Sequence, residues 1–206
     1  MPERRRDIRE DSLALSGSLR ILGVDPGMTA TGFGVVEVDR NGSIRYCGSG
    51  VIRPHPQHTF SHRLLKIFHD LSRQIDIFQP AVMGVERPFY GKNVQSAMML
   101  GQARGAAVLA GAEAGLPVHE YSPLEVKQAV VGYGRAAKEQ VQAMIQALLH
   151  TPSKMAADAA DALAVAVCLG HSLRWQRILE PFPGGTPSGT SARRARCSGS
   201  AFRSKE

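Results

Sequence analysis

The chain is poor in the features that secreted and membrane-anchored proteins need. It has only three cysteines, Cys47, Cys168 and Cys197. The number is odd and no Cys-x-x-Cys pair exists, so neither a disulfide framework nor a thiolate zinc site can be drawn. Cys168 lies in an apolar helical pattern, where a free thiol behaves as a small hydrophobe. A reducing compartment, the cytoplasm, is expected. No apolar run reaches the roughly 18–20 residues of a membrane helix. The most apolar stretch, 155–170, carries Asp158 and Asp161, which lipid would disfavour strongly. The N-terminus, MPERRRDIREDSLALSG, has arginines with no continuous hydrophobic segment behind them, so it does not read as a secretion signal.

What is present is an ordinary globular balance of 43% apolar and 21% charged residues. A length of 206 residues suits one domain with a single well-buried core. The formal net charge of +7 invites a nucleic-acid partner. Its distribution weakens that argument. Residues 182–206 hold five Lys/Arg against one acid, and residues 1–20 hold five Arg against four acids, which leaves +2 for 21–181. Much of the excess is therefore on a tail, and a basic tail is most often only solvated.

Composition divides the chain into a disordered leader (1–19), a folded domain (20–180) and a flexible basic tail (181–206) rich in Gly, Ser, Pro and Arg. Within the domain, Leu22 to Asp25 reads as a strand running into the turn Pro26-Gly27. Gly32 to Val38 and Ile44 to Arg53 are two more strands, joined through the hairpin signal Asn41-Gly42. Leu64, Leu65, Ile67, Phe68, Leu71, Ile75 and Phe78 then recur at helical spacing before Pro80. Ala81 to Glu86 is a buried strand, 94–115 a tightly packed helix and 117–121 a strand, with helices expected at 123–131, 136–149 and 155–172. Three antiparallel strands extended by two through helical crossovers predict an α/β protein with a mixed five-stranded sheet flanked by helices, the order of the ribonuclease-H-like fold. Fold order alone says little about chemistry.

Four acids carry the chemical argument. Asp25 ends the first strand, and Glu86 ends the fourth after Ala-Val-Met-Gly-Val. Asp158 and Asp161 are three apart on one helix face among small and apolar neighbours. Each has a bland reading: a turn residue before Pro-Gly, the start of a loop, a solvated helix face. Their joint placement favours convergence. Clustered buried carboxylates repel one another and need a cation. Hard oxygen ligands suit magnesium, and two such ions can serve an in-line phosphoryl displacement.

The segments ILGVDPG (21–27) with Thr31-Gly32, VERPFYGKNVQSAMMLGQARG (85–105), EYSPLEVKQAVVGYGRAAKEQV (120–141) and AADAADALAVA (156–166) closely resemble RuvC-type crossover junction endodeoxyribonucleases. The resemblance spans about 20–172, and its KN-x-x-SA-x-x-LGQARG string is highly specific. It implies that Asp25, Glu86, Asp158 and Asp161 are the catalytic acids and hold two Mg2+ per subunit, with Mn2+ able to substitute. It implies cutting of four-way (Holliday) junction DNA by paired symmetric hydrolysis in recombination and repair. It further implies a homodimer, with the helix beginning near Asn93 as its surface, and cooperation with a junction-migrating helicase complex. Phe89 matches a base-contacting position, Lys127 and Lys138 match lysines near the scissile phosphate, and Lys92 and Arg104 are further phosphate-contact candidates. An isolated lysine is otherwise usually a solvated charge, and a loop aromatic usually a packing anchor.

Other signals are weak. His55, His58, His62 and His69 crowd one loop and helix, but no cysteine or acid completes a metal set. Gly132-Tyr-Gly134 lacks the third glycine of a dinucleotide loop. Three rivals were weighed. An actin-like ATPase or sugar kinase needs a second lobe and a second phosphate loop, for which the chain has no room. A ribonuclease-H-like nuclease acting on RNA–DNA hybrids could share the acids, so 85–105 and 120–141 discriminate. A non-catalytic junction-binding protein would have no reason to gather four acids where a polyanion must sit.

Overall fold

The computed structural model describes residues 17–87, 94–151 and 155–179, with side chains as far as 173 in the last segment. Five strands and five helices follow in the order β1 (Ser18–Asp25), β2 (Thr31–Asp39), β3 (Ile44–Ile52), α1 (Phe60–Phe78), β4 (Val82–Glu86), α2 (Val94–Glu113), β5 (Val118–Tyr121), α3 (Pro123–Val131), α4 (Lys138–Leu149) and α5 (Ala157–Leu179). The sheet order is β3-β2-β1-β4-β5. β1 to β3 pair antiparallel, whereas β4 joins β1, and β5 joins β4, in parallel. This is the mixed sheet expected from sequence, with α1 and α2 as the crossovers. β1 begins at Ser18, two residues inside the stretch read as leader. Most of that leader and the whole of the tail lie outside the described residues.

Side-chain alternation along the strands sorts the interior into two cores. Leu22 and Val24, with Phe33, Val35, Met83 and Val85, pack under α1 and α2. Leu19 and Ile21, with Val36 and Val82, pack under α3, α4 and α5. Because strand neighbours point to opposite faces, Gly23 and Asp25 share the α5 face with Leu19 and Ile21. By the same parity Gly84 and Glu86 share it with Val82. The acids at the two strand ends are therefore turned to the side that α5 covers.

α5 is apolar nearly all round, and every residue from Ala159 to Leu169 except Asp161 is buried. Such a helix belongs in an interior. It lies unusually close to the sheet because the strands offer glycine beneath it. A Cβ on Gly23 would stand 2.1 Å from the Ala162 carbonyl oxygen, and one on Gly32 would stand 1.9 Å from that of Asp158. Both contacts are with helix backbone, which cannot rotate aside. The two glycines thus set the height of α5 and bring its first turns down to the strand ends.

The remaining helices have local stop and start signals. α1 ends on Gln79 in the left-handed region, just before Pro80. α3 opens with Pro123 and a reciprocal Ser122–Glu125 capping box. Among the described residues no helix is long and apolar enough to cross a membrane.

Candidate active site

Asp25 and Glu86 end adjacent parallel strands, one residue beyond the Val24–Val85 register pair. The turn after Asp25 is tightly closed. Thr31, fully buried, donates from its hydroxyl to the Gly27 carbonyl at 2.7 Å and accepts from the Gly27 N–H at 3.2 Å. A Cβ on Gly27 would meet the Ala30 carbonyl oxygen at 2.2 Å, so this tight turn needs glycine there. Arg63 of α1 donates to the Met28 carbonyl at 2.8 Å and braces the same loop. Asp25 is thus held on a short, rigid segment.

The structure brings Asp25, Glu86 and Asp161 into mutual electrostatic contact, and Asp25 and Glu86 share a hydrogen bond. Burial first, then the charges of Glu86 and Asp161, push the Asp25 carboxyl up to about 8. Burial also raises Glu86. The hydrogen bond between them couples the two carboxyls, so the proton belongs to the pair. Lys138, at the start of α4, sits 2.6 Å from Asp161 Oδ2. That hydrogen bond, more than any other influence, raises the ammonium above its ordinary range, and Asp25 and Asp158 add to the effect. Asp158, half-exposed in the first turn of α5, faces Arg53 with Nη2 3.5 Å from Oδ2. Lys127 of α3 donates to the Ala136 carbonyl at 2.7 Å, and its charge reaches Glu86.

Among the described residues no three acid, histidine or cysteine side chains are gathered closely enough to hold a metal ion as they stand. The proton shared by Asp25 and Glu86 and the Lys138 ammonium offset part of the carboxylate charge. The donor set nevertheless fits a hard divalent ion. It is all carboxylate, over-negative by burial, and open on the side where Asp158 stays half-exposed. Magnesium keeps several waters and shares ligands with phosphate, so it needs an open set rather than a cage.

The raised carboxyl has a consequence for stability. Its folded pKa, about 8, exceeds the ordinary 3.8, so folding binds this proton more tightly than the unfolded chain does. The stabilisation is complete below the unfolded value and is lost as pH rises through the folded one. Metal-free protein should therefore melt higher at pH 5 than at pH 9. Magnesium should raise the melting point most at high pH. Asp25→Asn should flatten both trends, and equal slopes in the two proteins by calorimetry would contradict the assignment.

Other candidates fall differently. Phe89 and Lys92 lie outside the described residues. Arg104 pairs with Glu120 of β5. Arg87 pairs with Glu125 at 3.0 Å, and its N–H donates to the Tyr121 carbonyl, tying the exit of β4 to α3. The rings of His55 and His58 lie tilted against each other, those of His58 and His62 meet in a T shape, and His62 is engaged by the α1 cap Thr59 at 2.7 Å. Arg53, which the sequence reading did not single out, stands beside one of the four acids. An arginine directly after a strand looks like a solvated charge until Asp158 on α5 is seen next to it.

The family model described as crossover junction endodeoxyribonuclease RuvC matches residues 21–169. A protein of that name from Geobacter sulfurreducens is 50% identical over 161 residues, covering 78% of this chain and 98% of its own. One from Shewanella sp. is 52% identical over 152 residues, covering 74% of this chain and 87% of its own. In three dimensions, the Thermus thermophilus RuvC solved in complex with a Holliday junction substrate superposes with a TM-score of 0.72 at 34% identity, covering 77% of this chain and 96% of that one. The yeast mitochondrial Holliday junction resolvase Ydc2 superposes at 0.57 and 15% identity over 79% of this chain and 80% of its own, a likeness of fold alone. The chain belongs to the RuvC family of crossover junction endodeoxyribonucleases.

Proposed function

We propose that this chain cuts Holliday junctions by paired, symmetric phosphodiester hydrolysis in homologous recombination and DNA repair, and that its active site is the Asp25, Glu86, Asp158 and Asp161 cluster. The observation that carries the reading is the meeting of the strand-end acids Asp25 and Glu86 with the helix acid Asp161 in one partly buried spot. Divalent-metal dependence goes with the family. Two magnesium ions held by these acids, with manganese able to replace them, would supply an activated water and neutralise the departing alkoxide.

The chain's own groups have separable tasks. Asp25 and Glu86, fixed at rigid strand ends, hold the buried part of the site. Asp158 and Asp161 close it from the helix. Lys138 and Lys127 bring positive charge to the rim, where a phosphate must approach carboxylates that would otherwise repel it. Lys127→Ala should slow single-turnover cutting more than it weakens junction binding, and an unchanged rate would remove Lys127 from the site. Phe89 and Lys92 are proposed DNA contacts on their place in the sequence, and unaltered junction opening in Phe89→Ala would reject the first.

Two symmetric nicks call for two sites related by the substrate's own symmetry, hence a homodimer. α2 supports this. Val94, Met98 and Leu109 are 72%, 62% and 62% exposed on one stripe of the helix. Between them a Cβ on Gly101 or Gly105 would meet nothing within 4 Å. Small residues flanked by exposed apolar ones permit a second copy to approach closely. Leu109→Glu should sediment as a monomer and nick junctions singly, whereas a persistent dimer would move the interface elsewhere.

The direct test of the function compares nicking of a four-way junction, linear duplex and an RNA–DNA hybrid, with and without magnesium. Metal-dependent cutting of the junction alone is expected. Preference for the hybrid would favour the rival nuclease reading, and binding without cutting would favour a junction-binding protein. The expected setting is the cytoplasm. Faster cutting on addition of a branch-migrating helicase is also expected there, and an unchanged rate would count against that partnership.

A further inference from the structure

Asp158 feels Lys138 as its neighbours do, but it also has an ion-pair partner of its own. Asp25 and Glu86 share a hydrogen bond, and Asp161 has Lys138 at 2.6 Å. Asp158 instead faces Arg53, which follows β3 directly. The last residue of β3, Ile52, pairs with Thr31, the residue that closes the turn after Asp25. Arg53 is therefore anchored at the same end of the sheet as the acids. Its side chain is 61% exposed, that of Asp158 is 34% exposed, and Nη2 is 3.5 Å from Oδ2.

A single exposed pair of this length stabilises a fold very little, so holding the structure together is a poor explanation for it. Two chemical facts offer a better one. Arg53 faces one of the two carboxylate oxygens that Asp158 offers a divalent ion, and its positive charge opposes a second cation there, so the two compete for Asp158. A guanidinium also presents a planar fork of five donors suited to phosphate, and the contact with Asp158 engages only Nη2.

We propose that Arg53 is a positioning residue of the cutting site, which neutralises Asp158 while no divalent ion is bound and turns its fork to a junction phosphate once the ion is in place. This rests on reading the four acids as the metal-binding cutting site. Arg53 is the charge that keeps Asp158 from repelling the incoming strand, and then the group that sets the strand's position beside the acids.

Full-length Arg53→Ala and Arg53→Lys proteins test it in three ways. Calorimetric titration with Mn2+ alone, without DNA, should show Arg53→Ala binding the ion several-fold more tightly than the parent, because a competitor has gone. Junction binding in Ca2+ across a salt series should give a log–log slope shallower by about one per lost phosphate contact. Arg53→Lys should restore that slope. At saturating Mg2+, both variants should cut more slowly than the parent in single turnover, since an ammonium cannot reproduce the fork. Unchanged Mn2+ affinity overturns the first role, and an unchanged salt slope overturns the second. A parent protein that binds no Mn2+ at all would sink the acid-site reading itself. Normal parent binding with an indifferent Arg53→Ala sinks only this inference.

Discussion

The Asp158→Asn protein should bind a synthetic four-way junction within about threefold of the parent and cut it roughly a hundred- to a thousandfold more slowly or not at all. The asparagine keeps the shape of the side chain. The site is half-exposed in the first turn of α5, so the fold is not at risk. What is lost is one anionic oxygen ligand, and with it the geometry of an ion meant to face the reacting phosphate. Removing a negative charge beside a polyanion should tighten ground-state binding slightly, if it changes it at all. A loss confined to the chemical step is the signature of a group used in the transition state. Wild-type nicking by Asp158→Asn would take Asp158 out of the metal site, and weak binding with normal chemistry would make it a DNA contact.

Gly32→Ala should be as damaging as removing an acid, although Gly32 has no chemistry of its own. Its new Cβ would lie 1.9 Å from the Asp158 carbonyl oxygen and 2.6 Å from the Asp158 carbonyl carbon. Either the strand yields or the start of α5 lifts away. Forced overpacking of a tight core typically costs about 1–3 kcal/mol, and a backbone collision belongs at or beyond the upper end. The displaced element carries Asp158 and Asp161, so activity should fall even in the fraction that remains folded. Gly84→Ala is the matched contrast. It too faces α5, but its Cβ would meet only side-chain atoms, Val165 Cγ1 at 3.1 Å and Leu169 Cδ2 at 3.3 Å. Those atoms can shift by a few tenths of an ångström, so a milder loss in denaturant unfolding and nearly normal cutting are expected. Equal destabilisation by the two variants would show that the height of α5 is not set by the glycine under Asp158.

Much of this was legible in the chain itself. The strands and helices announced themselves by pattern: a short apolar run ending at Asp25-Pro-Gly, helical spacing from Leu64 to Phe78, and a Ser-Pro-x-Glu start at Ser122. Asp25 and Glu86 each have a bland reading alone and could be picked out only by their joint placement at strand ends with the 158/161 pair. What periodicity does not reveal is distance across the sheet. Nothing in the order of residues tells that Gly23 and Gly32 lie under the backbone of α5. The proximity of Lys138 to Asp161 is likewise invisible along the chain, and there the family resemblance supplied the expectation. Arg53 and Arg104 make the limit plain. Both are arginines near chemically suggestive segments. Only three-dimensional placement gives one to Asp158 and the other to Glu120.

The most direct measurement is an anomalous difference map from crystals of the protein soaked in manganese, recorded with and without a bound junction strand. Density bounded by the carboxylates of Asp25, Glu86, Asp158 and Asp161, with Lys138 moved off Asp161, is the expected result. Manganese seated elsewhere on the molecule, with the Asp25–Glu86 hydrogen bond and the Lys138 contact intact, would contradict it.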